Sequence, residues 1–142
     1  MRRARRAVTP QPDPPEVSRW NAVFRLPSDT SDDTVSALHG YAWMAPVLSD
    51  VYRIRLRVVL MHASPNAMYG WQIERGRCND DRGTFGPPVI YQPLHTETTG
   101  YAATSAFIPL GFPTRGSYSV RVVPLDTAVH QPSLCGTFTP PG

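Results

Sequence analysis

Four histidines, two cysteines and eleven carboxylates are the groups in this 142-residue chain that could ligate a metal or carry a proton. A metal site requires several imidazole, thiolate or carboxylate donors converging on one point. His39, His62, His95 and His130 fall on separate segments, and only His95 has a carboxylate at short range, Glu97 two residues on. Each is therefore read as a surface or turn histidine. Asn79-Asp80-Asp81-Arg82-Gly83 is rich in oxygen donors, but it lacks the ligand spacing and closing glutamate of a calcium loop and reads as a solvated turn. No serine sits in a nucleophile elbow, and no glycine-rich loop is built to cradle phosphate. Glu74 follows Trp71-Gln72-Ile73 and shares the Gln72 face, opposite Trp71 and Ile73, so it is expected to be exposed. These groups imply no cofactor.

Cys78 and Cys135 are too far apart for a Cys-x-x-Cys redox or zinc pair. In a β-rich domain with no other thiol they read as one structural disulfide. That places the domain in an oxidising compartment, a periplasm or the cell exterior. Two buried free thiols in a reducing compartment are the alternative.

All fourteen basic residues are arginine, a side chain suited to planar, bidentate contacts. Arg2, Arg3, Arg5 and Arg6 supply more than the whole net charge of +3, so the rest of the chain is close to neutral and does not read as a nucleic-acid binder. The basic start resembles the opening of an export signal, but Pro10-Gln11-Pro12-Asp13-Pro14-Pro15 follows where an apolar core would stand. A complete signal peptide is therefore not expected, and no apolar run is long enough for a transmembrane segment. Residues 1–18 read as an extended, proline-rich tail and residues 19–142 as one domain.

Short alternating runs separated by turn residues must position whatever the domain carries. Trp20–Leu26, Val35–Trp43, Val51–Leu60, Tyr69–Glu74, Val89–Pro93, Ala102–Leu110, Tyr118–Val123 and Cys135–Phe138 read as about eight strands. In the third, Tyr52, Ile54, Leu56 and Val58 point to the core while Arg53, Arg55 and Arg57 line the other face. That row is either a solvated face or a docking face for an acidic or membrane-proximal partner, with Arg121 a candidate to extend it. The pattern predicts an all-β fold, a Greek-key antiparallel β-sandwich of the immunoglobulin-like or superoxide-dismutase-like kind.

Trp71, Ile73, Gly76 and Cys78 fit the Trp-His-Ile-His-Glu-Gly-x-Cys segment of the copper/zinc superoxide dismutase family, which this chain resembles. Gly100-Tyr101-Ala102 with Ile108-Pro109-Leu110, Tyr118–Val123 and Leu134–Phe138 resemble later strands of that family, in the same order. Trp20–Trp43 is similar to the first hairpin of the related chordin-type domains. The resemblance implies a Cys78–Cys135 disulfide. It also places Gln72, Glu74 and Val123 where the family has copper-binding histidines, and only the short histidine-free span Asn79–Pro88 where it has its zinc loop. A framework without the chemistry is expected to be a non-enzymatic accessory subunit of a larger exported or membrane-associated assembly. It would be held by its tail and by the Arg53, Arg55 and Arg57 face. A metal-binding enzyme using the residual histidines and a free-standing ligand-binding domain are the alternatives.

Overall fold

A computed structural model describes residues 13–15, 18–25, 38–126 and 133–142. The expectations placed on Arg2, Arg3, Arg5, Arg6 and His130 lie outside the described residues. The strands run in the order β1 (Trp20–Arg25), β2 (His39–Val47), β3 (Asp50–Met61), β4 (Met68–Arg75), β5 (Leu94–His95), β6 (Ala102–Ile108), β7 (Tyr118–Pro124) and β8 (Leu134–Thr137). Their pairing is antiparallel throughout, in two four-stranded sheets ordered β1-β2-β3-β6 and β5-β4-β7-β8. This is an all-β sandwich. The chain crosses between the sheets after β3, returns after β5 and crosses again after β6.

Alternation explains the strands. Ile54, Leu56, Val58 and Leu60 of β3 are buried, and the arginines between them face away from the core. Trp20, Ala22 and Phe24 of β1 meet Tyr69, Trp71 and Ile73 of β4 and Val120 and Val122 of β7 in one apolar cluster. Each large side chain so buried contributes roughly 1.5–3 kcal/mol. Two glycines let the backbones come this close. A Cβ on Gly40 would fall 2.1 Å from the Val59 carbonyl oxygen and 2.6 Å from the Phe24 ring, and one on Gly136 would fall 2.4 Å from the Val23 carbonyl oxygen. Gly136 lets β8 press against β1, where Asn21 and Thr139 exchange backbone hydrogen bonds of 3.0 and 2.7 Å across the open edges of the two sheets.

Two details differ from the sequence pattern. Val89–Pro93 is not a strand: Pro88–Ile90 forms a 3₁₀ turn, and pairing resumes only at Leu94–His95. Pro87, Pro88 and Pro93 have no amide hydrogen to give a ladder, which outweighs the apolar character of the segment. Tyr52 shares the parity of the core residues but is 74% exposed: it precedes Ile54, where pairing with β6 begins, and lies beside the register shift at Pro46 and Val47 of β2.

Candidate functional site

The positions singled out on β4 and β7 share the outer face of the second sheet. Trp71 opposite Val122 and Ile73 opposite Val120 turn inward, so Gln72 opposite Arg121, Glu74 opposite Ser119 and Gly70 opposite Val123 turn outward. The fold thus brings Gln72, Glu74 and Val123 together, and Arg121 stands among them. Arg121 Nε donates to Glu74 Oε2 at 3.2 Å, and Gln72 Nε2 donates to the same oxygen at 2.8 Å.

Glu74 is 8% exposed, which corrects the expectation of a solvated carboxylate. Outward on this sheet does not mean open to water. Residues 83–85 fold back along the edge of β4: Arg75 N donates to the Gly83 carbonyl at 2.9 Å and Phe85 N to the Ile73 carbonyl at 2.8 Å. The segment carrying Cys78 is fastened over the same end. Cys78 is disulfide-bonded to Cys135, with Cα atoms 5.9 Å apart, and Cys78 N donates to Thr137 Oγ1 at 3.2 Å. Cys135 and Thr137 lie opposite Arg121 and Ser119 in the ladder, so the tether crosses the outer face beside Glu74. Burying a carboxylate costs free energy unless it is paired and hydrogen-bonded, and the Arg121 guanidinium and the Gln72 amide supply those contacts.

Arg121 therefore does not extend the arginine row of β3, which belongs to the other sheet. Its role was not legible locally, because the contact spans 47 residues of sequence. The equal phase of Gln72, Glu74 and Arg121 on their own strands was the only available signal.

Beside this ion pair lies a cleft of about 360 Å³, with Gln72 and Arg121 at its polar end and Pro88, Tyr91, Val123 and Leu125 among its apolar walls. Tyr91 is no proton donor to the cleft. Its hydroxyl donates to the Phe85 carbonyl, and burial pushes the phenol above the ordinary tyrosine range, against a smaller opposing pull from the backbone at Ile73. Trp71 Nε1 is likewise engaged, by the Gln92 carbonyl at 2.7 Å.

The histidines are less scattered than their sequence positions indicate. His39 opens β2 opposite Met61, which brings its ring onto His62, with centroids 5.5 Å apart and planes inclined by 28°. His95 lies on β5 and is exposed. Among the described residues no three histidine, cysteine, aspartate or glutamate side chains group so as to hold a metal ion. The acidic turn is closed on itself: Asp80 Oδ2 accepts from Arg77 N at 2.8 Å, and Asn79 and Asp81 take positive φ angles of 74° and 54°.

The arginine row of β3 lies on the outer face of the first sheet, over aromatic rings. Arg53 sits 4.2 Å from the Phe107 ring centre and Arg55 5.0 Å from that of Trp43, while Arg57 Nη1 donates to Ser105 Oγ at 3.3 Å. Arg19, just before β1, lies over the Trp43 ring as well at 5.4 Å, and this outward-facing indole is only 1% exposed. Asp13, Pro14 and Pro15 of the tail lie against Pro46, Leu48 and Arg55 around a recess of about 290 Å³, and Arg19 Nη1 donates to the Pro14 carbonyl at 3.1 Å. No helix among the described residues is long and apolar enough to cross a membrane.

No protein-family model matches the chain, and no curated protein matches it in sequence.

Proposed function

We propose that this chain is a non-catalytic β-sandwich of the copper/zinc superoxide dismutase-like kind, acting as an accessory subunit of a larger extracytoplasmic assembly. One observation carries the reading. At the positions where the resemblance expects copper-binding histidines, Gln72 and Glu74 are tied to the Arg121 guanidinium, and Val123 completes the set. A side-chain cation occupies the neighbourhood that a metal would need. An amide, an ion-paired carboxylate and an alkyl group do not fit copper, which takes imidazole or thiolate donors. No reaction step is therefore assigned to this site. Antiparallel pairing with repeated crossings between the sheets supports a Greek-key topology. A disulfide supports a periplasmic or extracellular location. The basic tail with Arg2, Arg3, Arg5 and Arg6 is the segment we assign to docking.

The test is metal content and superoxide turnover of the purified, oxidised protein. The reading expects neither copper nor zinc at stoichiometric level and turnover no faster than the buffer. Stoichiometric copper with turnover above free-metal background would sink it. Deleting residues 1–18 should leave the sandwich folded and weaken co-purification with native partners. The cleft beside Gln72 and Arg121 favours a second reading, a ligand-binding domain, for which a bound small molecule released on denaturing the purified protein is the decisive observation.

A further inference from the structure

The sandwich leaves one long strand edge unpaired. Among the described strands, β1 and β8 close their edges on each other through Asn21 and Thr139, and β5 is only two residues long and follows Pro93. β6 is different. Its seven residues, Ala-Ala-Thr-Ser-Ala-Phe-Ile, contain no proline and no charge. They pair with β3 one residue at a time from Ala102 to Ile108, with no shift of register. No backbone hydrogen bond joins residues 102–107 to any described segment other than β3. Every second residue of an edge strand directs its N–H and C=O away from its single neighbour, so about three residues of β6 hold out unpaired groups. Proteins ordinarily blunt such an edge with lysine, proline or a bulge, and β6 has none of these.

We propose that β6 pairs antiparallel with β6 of a second copy of this chain, about a two-fold axis at Ser105, so that two four-stranded sheets become one continuous sheet. The strand is complementary to itself in that register. Ala103, Ser105 and Phe107 face outward, opposite Val59, Arg57 and Arg55 of β3. With Ser105 facing its own symmetry mate, Phe107 lies opposite the partner's Ala103, and a ring that is 45% exposed is set over a methyl group. On the inner face Thr104 meets the partner's Ala106, again without two large side chains opposed. An edge bearing charge would repel its own copy, and this strand bears none. The charge brought nearest to the axis is the Arg57 guanidinium, whose Nη1 donates to Ser105 Oγ at 3.3 Å. Two such groups then stand across the axis in open water, a repulsion that salt screens over about 8 Å. Self-pairing should therefore tighten as salt rises, the reverse of a basic tail docking on an anionic partner. An interface limited to one strand per copy is at the small end of the range, below about 1,200 Å², so the dimer is expected at concentrations on the order of tens of micromolar. The proposal adds self-association to the accessory-subunit reading and makes no use of the tail.

The experiment is sedimentation velocity of the full, oxidised chain from about 5 to 500 µM, at low and high salt. A monomer–dimer equilibrium is expected, about two- to threefold tighter at high salt. Ser105→Lys sets two ammonium groups against each other at the axis and should weaken the dimer at least about tenfold. Cross-linking tests the register. Cys78 and Cys135 are bonded to each other, so an introduced thiol has no native thiol to compete with it. Ser105→Cys should form a disulfide-linked dimer under mild oxidation, because facing Cβ atoms are about 5 Å apart. Ala103→Cys should not, since its two copies are offset by four residues, about 13 Å along the strands. Arg115→Cys, on an exposed loop, gives the background rate. Near-ultraviolet circular dichroism confirms that each variant is folded. A monomer throughout the concentration range would overturn the proposal. So would a dimer that Ser105→Lys leaves unchanged or that dissolves in salt, or cross-linking of Ser105→Cys no faster than that of Arg115→Cys. Loss of a native co-purifying protein in Ser105→Lys, from a chain that is monomeric by itself, would give the edge to a foreign strand and equally overturn it. Metal content and superoxide turnover do not depend on this edge, and neither does the tail deletion, so the proposal can fail while the accessory-subunit reading stands.

Discussion

Replacing Arg121 with methionine removes the cation beside Glu74 while keeping most of the side-chain volume. The pair is neither fully buried nor open: the contact is 3.2 Å, with the glutamate side chain 11% and the arginine side chain 24% exposed. Exposed pairs contribute at most about 1 kcal/mol. Breaking a fully buried one costs about 3–5 kcal/mol, because an uncompensated charge remains. Arg121→Met should fall between these limits, at about 2 kcal/mol. Gln72 stays behind as a hydrogen-bond donor to the carboxylate but brings no charge. For a domain of this size the loss corresponds to a melting temperature lower by about 6 °C. Glu74→Leu should cost a similar amount by stranding the guanidinium. The double variant should cost only about 1–2 kcal/mol, since two apolar side chains can replace a desolvated pair with little net change. Urea unfolding of all four proteins, followed by tryptophan fluorescence with the disulfide intact, closes the cycle. A coupling of about 2 kcal/mol or more is expected. If the single costs add to within about 0.5 kcal/mol, Arg121 and Glu74 do not act as a pair.

Reducing the Cys78–Cys135 bond, whose partners are 57 residues apart in sequence, should lower unfolding stability by about 4 kcal/mol in urea titrations with and without reductant, and an unchanged midpoint would contradict this. Gly136→Ala should destabilise by about 1–3 kcal/mol, because its Cβ would meet the Val23 carbonyl at 2.4 Å, and thermal melting that matches the parent would show that β1 and β8 can separate freely. Tyr91, its phenol raised by burial, keeps its proton in the folded state at pH values where the unfolded chain has lost it. Its contribution to stability is therefore complete below about pH 10, the ordinary tyrosine value, and declines as pH rises beyond it. Tyr91→Phe should cost about 1 kcal/mol at pH 7 for the lost hydrogen bond to Phe85 and should flatten the alkaline decline, as read from unfolding curves at pH 8 and above. Histidines placed together at Gln72, Glu74 and Val123 should still not yield full dismutase turnover in a copper- and zinc-loaded assay, since residues 79–88 supply no histidine.

Much of the sandwich can be read from period-two alternation, because that pattern is a local consequence of strand geometry and one buried face. Val51–Leu60 shows it most clearly, and Ile54, Leu56 and Val58 are buried as it requires. The pairing of Cys78 with Cys135 was likewise accessible, since a single pair of thiols leaves one intramolecular disulfide to form. Where alternation competed with proline chemistry, in residues 89–93, proline prevailed, and the strand moved to Leu94–His95. What tertiary structure alone decided is which outward faces are wet. Glu74 and Trp43 both have the phase of exposed residues, and both are buried: Glu74 is paired with Arg121 on the face that the Cys78–Cys135 disulfide closes, and Trp43 lies under Arg19 and Arg55. Alternation reports which side of a sheet a residue faces. It carries no information about what later crosses that side. The partnership of Arg121 with Glu74, and of Arg53 with Phe107, depends on strand register between segments more than forty residues apart, and register is set by the packing of the whole core.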